Sequence, residues 1–229
     1  MQWTQYQVAR MIDHTNLRAY ATQEDFRRLC DEARANHFRS VAINSYPVRM
    51  CREMLKGSDV LTGAAIAFPL GQTSMASKAA EVENAISDGC QEFDYVLNVG
   101  RLKMHDYVYI EKEMRTLVAL ARQAQVCCKV IFETCYLTEQ EIMDVSRIAA
   151  DVRPDFVKTS TGFGTAGATP AHVALMKQYA GPDVQVKAAG GIRSWKDALS
   201  MLEAGATRPG TSSGLKILAD MREAGLPQA

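Results

Sequence analysis

The sequence has no excess of charge of either sign: Lys plus Arg and Asp plus Glu both total 26. A formal net charge of zero gives no global field for nucleic acid or an anionic membrane, so any cationic site must be local. None of the six cysteines (Cys30, Cys51, Cys90, Cys127, Cys128 and Cys135) belongs to a C-x-x-C pair. Most lie in apolar runs, which reads as small buried hydrophobes in a reducing compartment. His14, His37, His105 and His172 show neither H-x-H nor H-E-x-x-H spacing, so no metal site is expected. Charges interrupt every apolar stretch before a membrane-spanning length. The opening MQWTQYQVARMIDHT lacks a charged segment followed by an apolar one, so no signal peptide is expected and the cytoplasm is the expected compartment. Gly162-Phe163-Gly164 lacks the G-x-G-x-x-G pattern of a dinucleotide loop. No linker or low-complexity stretch divides the chain, which predicts one domain over residues 1–229.

What is present is a regular alternation of short β-rich runs with longer amphipathic stretches. A chain of 229 residues is close to the usual size of one α/β barrel. It can bury roughly 70% of the surface exposed by its unfolded form, so it needs no disulfide or metal to fold. The strand-like runs are Val8–Ile12 leading into Asp13-His14-Thr15, Phe38–Asn44, Val60–Phe68, Glu92–Asn98, Cys127–Thr134, Asp155–Lys158, Val184–Ala188 and Ala206–Thr211. Helical patterns follow at about 22–36, 46–55, 75–88, 107–123, 138–150, 169–179, 194–203 and 214–224. Thr22 with Asp25 resembles a capping box, and Thr138 with Glu141 is a full one. Eight β–α repeats predict a single closed (β/α)8 TIM barrel rather than an open sheet. Pro209 removes a ladder donor inside the eighth run, so that strand is either very short or turned toward Gly210.

In such a barrel, chemistry sits at the C-terminal strand ends. The polar residues there are Asp13, Asn44, Asp94 with Asn98, Lys129 with Glu133, Lys158 with Thr159 and Thr161, and Lys187. Alternation puts Asp94, Val96 and Asn98 on one face, and Lys129, Ile131 and Glu133 on another. One strand lysine can snorkel to the rim. Three of them, with Asp94, point to a catalytic cluster. A free amine is almost wholly protonated at neutral pH and cannot attack a carbonyl. Burial and a neighbouring ammonium penalise the charged form and free the lone pair. Lys158 and Lys187 fall on adjacent strands, and Asp94 can exchange protons with a reacting group. After the seventh and eighth strands, Gly190-Gly191-Ile192-Arg193-Ser194 and Gly210-Thr211-Ser212-Ser213-Gly214 each open a helix, which suits a phosphate. Arg193 and Arg208 are nearby charges that can equally face solvent. His14 can contact a ligand or serve only in packing.

At these residues the sequence resembles the deoxyribose-phosphate aldolase family along nearly its whole length. The likeness runs through Asp13-His14-Thr15, Phe68-Pro69-Leu70-Gly71, Glu92–Asn98, Lys129–Thr134, Phe156–Phe163, Val186–Arg193 and Gly210–Gly214. It implies reversible cleavage of 2-deoxy-D-ribose 5-phosphate to D-glyceraldehyde 3-phosphate and acetaldehyde, a step in deoxyribonucleotide catabolism, through a lysine Schiff base and without a cofactor. Carried over, Lys158 resembles the Schiff-base lysine, Lys187 the second lysine, and Asp94 the proton-transfer group. Asp13 and Lys129 match positions of the polar network around the substrate, Gly190, Gly191, Ser212 and Ser213 match the phosphate cradle, and these six with Thr161 and Gly162 are the expected substrate-binding residues. Ala42 stands where many members carry cysteine, Arg18 replaces a frequent lysine, and Pro209 replaces a branched aliphatic residue. The partners implied are a sugar phosphate and aldehydes, with no nucleic acid and no membrane. A homodimer stays open, since barrels often pair, although no interface stripe stands out. Two other readings remain: another Schiff-base aldolase or transaldolase, and a non-catalytic barrel that binds a sugar phosphate.

Overall fold

A computed structural model describes residues 3–229. Its eight parallel strands are β1 (Asp13–Asn16), β2 (Ser40–Asn44), β3 (Leu61–Ile66), β4 (Glu92–Val96), β5 (Cys127–Ile131), β6 (Phe156–Lys158), β7 (Gln185–Ala189) and β8 (Arg208–Thr211). They pair in sequence order and close as β8 onto β1, which makes the expected (β/α)8 barrel. Helices α1 (Gln5–Ala9), α2 (Gln23–Ala35), α3 (Val48–Met54), α4 (Met75–Ser87), α5 (Val99–Lys103), α6 (Tyr107–Ala124), α7 (Glu139–Val152), α8 (Pro170–Tyr179), α9 (Trp195–Glu203) and α10 (Gly214–Glu223) surround it. The two capping boxes start α2 and α7 as the sequence predicts.

Three local expectations fail for identifiable reasons. Val8–Ile12 is not a strand. Thr4 and Gln7 form a capping box that starts α1, whose Val8 and Ala9 are buried, and Ile12 is buried just beyond it. The backbone of Gln5 and Tyr6 donates to the carbonyls of Pro227 and Gln228, which ties the start of the described chain to its end. Asn98 does not continue β4: its side-chain oxygen accepts the Arg101 N–H and caps α5. Glu133 does not extend the face of Lys129, because its backbone is left-handed at φ 56°.

Pro209 is buried within β8, which has only four residues. Pairing with β1 begins one residue later, at Gly210 opposite Asp13. The missing donor therefore coincides with a short ladder, and the backbone does not turn away.

The barrel interior is polar and its apolar core lies outside. Phe93, Tyr95, Cys128, Val130, Val157, Val186 and Ala188 pack toward the helices in one buried cluster. Their strand neighbours Glu92, Asp94, Lys129, Lys158 and Lys187 project the other way and meet across the lumen. Beside the barrel, Lys78 on α4 donates to the Val96 carbonyl at 2.7 Å and to Glu113 on α6 at 2.8 Å. The second Glu113 oxygen accepts the Asn98 N–H at 3.1 Å, so this pair fixes the exit of β4. Both side chains are buried. Burial lowers the Lys78 pKa and raises that of Glu113, each against the pull of the other. Lys78→Met strands a buried carboxylate and is expected to cost about 3–5 kcal/mol of stability, measured by urea unfolding.

Candidate active site

Alternation on β4, β5, β6 and β7 delivers four charged side chains to one point in the lumen. The Lys158 ammonium donates to Asp94 Oδ2 at 2.7 Å, and Lys187 donates to the same oxygen at 2.6 Å. Lys129 donates to the other oxygen, Oδ1, at 2.9 Å. Asp94 thus holds three cations, and Lys158 and Lys187 converge on one carboxylate oxygen. Paired residues of β6 and β7 stand opposite in the ladder, so Lys158 lies beside Lys187 as adjacency predicts.

Burial is the main cause of the lowered pKa of Lys158, which falls to about 8. Asp94 pulls it back up, while Lys187 and then Lys129 push it down. At pH 7 about one molecule in ten then carries a neutral amine, against roughly one in three thousand at the ordinary value. Asp94 behaves oppositely. Burial alone would raise its pKa, but Lys129, Lys158 and Lys187 together hold it well below the carboxylate range.

Below this point lies a second layer of charge. Arg208 on β8 donates to Asp13 at 2.6 Å and to Glu92 at 3.1 Å, and Lys129 reaches Glu92 at 3.1 Å. Asp13 also accepts from Lys187 and, at 2.8 Å, from Ser40. Arg208 therefore does not face solvent; it lies within the barrel over the Phe156 ring. Parity held the clue, since Arg208 shares a strand face with Gly210 as Glu92 does with Asp94, and an inward Arg matches an inward Glu.

A cavity of about 390 Å³ opens above. Lys158, Lys187, Thr161, Gly162, Gly190, Gly191 and Ser212 line it. Asp13, Lys129 and Asp94 do not: the first two are fully buried, and Asp94 is 5% exposed beneath the floor. Asp13 and Lys129 are thus placed as supports under the site rather than as contacts within it. Ser213 also lies outside the lining, where its N–H donates to Thr211 at 2.8 Å. The Thr211 hydroxyl donates to the Ile192 carbonyl at 2.7 Å and joins the two glycine turns. Gly190 has φ +85°, and a side chain there would meet Gly167 Cα at 2.9 Å. Only glycine lets the two backbones close on this rim.

Sequence reasoning left His14 undecided. Its ring lines the cavity, its Nε2 lies 2.7 Å from Glu32, and it packs on Phe38. Glu32, a cavity residue on α2, was not anticipated, because the i to i+18 separation carries no local signal. Asn44 sits apart, donating at 3.4 Å to the Leu17 carbonyl. Among the described residues, no group of three or more His, Cys, Asp or Glu side chains is placed to hold a metal.

The model of the DeoC/LacD family aldolases matches residues 7–220. The chain belongs to that family. The deoxyribose-phosphate aldolase of Lactobacillus acidophilus is 53% identical over 95% of this chain and 92% of its own. That of Thermococcus kodakarensis is 48% identical, covering 93% and 96%. The deoxyribose phosphate aldolase of Aeropyrum pernix, solved as a tetramer, superposes with a TM-score of 0.89 at 30% identity, over 96% of this chain and 93% of that one. Against this DeoC/LacD background, the lumen cluster and the glycine rim form one continuous site at the C-terminal face.

Proposed function

We propose that this DeoC/LacD aldolase reversibly cleaves 2-deoxy-D-ribose 5-phosphate to D-glyceraldehyde 3-phosphate and acetaldehyde, with Lys158 as the imine-forming residue. The observation that carries the reading is a cavity-lining lysine lowered to about 8 that shares one Asp94 oxygen with a second lysine. The relatives at 53% and 48% identity carry the same activity in their names.

Neutral Lys158 attacks the aldehyde carbon, and loss of water gives a protonated imine. The imine withdraws electrons, so the bond between the second and third carbons breaks toward an enamine. Asp94 takes the proton of the C3 hydroxyl through its hydrogen-bonded partners and later returns a proton to the enamine carbon. Lys187 keeps the Lys158 pKa low and orients Asp94. The turns at Gly162, Gly190, Gly191 and Ser212 offer backbone donors to the phosphate, with Ser213 at the start of α10. Holding the phosphate fixes the reacting atoms over Lys158, which contributes several kcal/mol to the barrier reduction. One barrel domain over 1–229 accounts for all of these parts.

Borohydride added with substrate is expected to leave a reduced adduct on the peptide containing Lys158, read by mass spectrometry. An adduct mapped to Lys129 or Lys187 instead would reassign the nucleophile. Activity should rise with pH through about 8, because the neutral amine is the reactive form. Lys187→Met removes a charge that lowers the Lys158 pKa and frees Asp94 to raise it. Its kcat/KM profile should move up by about one pH unit, and an unmoved limb would uncouple the two lysines.

We propose deoxyribonucleotide catabolism as the pathway that uses this reaction and the cytoplasm as its compartment. All six cysteines are unpaired, and among the described residues no helix is long and apolar enough to cross a membrane. The same reading carries a homodimer, with Tyr20, Tyr46, Leu70, Met104 and Val108 as exposed apolar side chains available to a partner. Light scattering measures that mass.

A further inference from the structure

Asp13 takes the lumen side of β1, so alternation turns the next side chain, His14, outward toward the helices. There it meets two of them. Its Nε2 lies 2.7 Å from Glu32 Oε2 on α2, and its ring packs on Phe38 with centroids 4.8 Å apart. Its other nitrogen faces α10. A Cβ added to Gly214, the first residue of that helix, would meet His14 Nδ1 at 3.1 Å and Phe38 Cζ at 2.8 Å. The His14 side chain is 3% exposed, and among the described residues Nδ1 has no hydrogen-bond partner. Gly214 thus rests directly on the two rings.

An ionised carboxylate only accepts, so the ring proton sits on Nε2 and Nδ1 keeps a bare lone pair. Burial lowers the His14 pKa against the pull of Glu32, which keeps the ring neutral at pH 7. The lone pair then faces the electropositive start of α10, whereas the other tautomer would set an N–H against it. Glu32 therefore selects both the tautomer and the angle of the ring under Gly214. The placement matters because, among the described residues, no side chain caps α10, so its first-turn N–H groups stay open. His14 also pairs with Thr211 in the β1–β8 ladder, and Ser212 between these two anchors lines the cavity.

We propose that the His14–Glu32 pair is a positioning device for phosphate: Glu32 holds the His14 ring as the seat of Gly214, and the seat fixes the open first turn of α10 against the phosphate of the substrate. This rests on the phosphate reading of the glycine turns and adds two residues that act through the backbone of α10. Direct electrostatics predicts the reverse sign. Glu32 lines a cavity that takes an anion, so a carboxylate with no other role would favour phosphate once its charge was removed.

The test compares kcat/KM for cleavage of 2-deoxy-D-ribose 5-phosphate and of 2-deoxy-D-ribose. Their ratio isolates phosphate recognition, because damage to the chemistry at Lys158 enters both. Glu32→Leu frees the ring and should lower the ratio about tenfold, the size of one hydrogen bond to a charged group. In Glu32→Gln the carbonyl oxygen still accepts the Nε2 proton, so the ratio should stay at or above that of wild type. His14→Leu should match Glu32→Leu, and the double variant should fall no further. The Glu32 side chain is 30% exposed, so its two variants carry the test if His14→Leu fails to fold. A ratio that rises or stays unmoved in Glu32→Leu overturns the inference. An equal fall in Glu32→Gln and Glu32→Leu also overturns it, since the charge and not the acceptor is then at work. If wild type cleaves both sugars equally well, the phosphate reading falls and takes this inference with it. If wild type cleaves neither, the aldolase reading falls as well. A wild-type preference for the phosphorylated sugar that Glu32→Leu leaves intact removes this inference alone.

Discussion

Lys158→Met is expected to lose turnover by a factor on the order of 10⁴ or more while the protein stays folded. The loss follows from the chemistry, since no side chain other than an amine can form the imine. Neither neighbour can replace it. Lys129 is fully buried beneath the floor, and its pKa is held well above the ordinary value: burial would lower it, but Asp94 and Glu92 outweigh burial. Lys187 reaches the cavity, but its ammonium is tied to both Asp13 and Asp94. Stability should be unchanged or higher. The substitution removes a buried amine whose charged form burial disfavours, and Asp94 keeps Lys129 at 2.9 Å and Lys187 at 2.6 Å. An inactive enzyme with an equal or raised melting temperature is the pattern of a group kept for function against stability. A variant that unfolds would make Lys158 structural, and one that still turns over would move the imine elsewhere.

The sequence was most legible where local periodicity and site chemistry coincide. Seven of the eight strand runs, the closed barrel, and the meeting of Lys158, Lys187 and Asp94 follow from alternation plus adjacency, and the structure bears them out; the first strand begins only at Asp13. What stayed hidden depends on depth. Asp13 and Lys129 have the residue types of ligand contacts, and only their burial separates a support from a contact. Arg208 followed the same logic in reverse: next to a glycine turn it was open between a charge near the phosphate and a solvent-facing one, yet it answers Glu92 and Asp13 across the barrel. The opening helix was misread because Val8–Ile12 is a short apolar run, which periodicity cannot assign between strand and helix. The Thr4 and Gln7 capping signal was present and decides it. Glu133 broke the strand parity through a single left-handed residue, a conformation that a glutamate does not advertise.

Asp94→Asn separates proton transfer from imine formation. Asparagine keeps the shape but cannot take a proton, so kcat for cleavage should fall by about 10² to 10⁴. Borohydride trapping on Lys158 should persist, because the nucleophile is intact. The pH limb should move as well. The Asp94 carboxylate raises the Lys158 pKa, so its loss lets the amine go neutral below about 8. The limb then shifts to lower pH, opposite to the shift expected for Lys187→Met. Opposite shifts from two residues bound to the same amine environment are hard to obtain from general loosening of the barrel, which exposes Lys158 to water and moves both limbs upward. A stability cost accompanies the change. Lys129 keeps Glu92 at 3.1 Å and Lys187 keeps Asp13, but Lys158 loses the one carboxylate it touches. Deleting one partner of a buried ion pair typically costs about 3–5 kcal/mol, and the figure here falls toward the lower end because Lys158 can shed its proton. If Asp94→Asn cleaves within tenfold of wild type, the proton moves by another route. If its limb shifts upward, Asp94 does not set the Lys158 charge as the geometry requires.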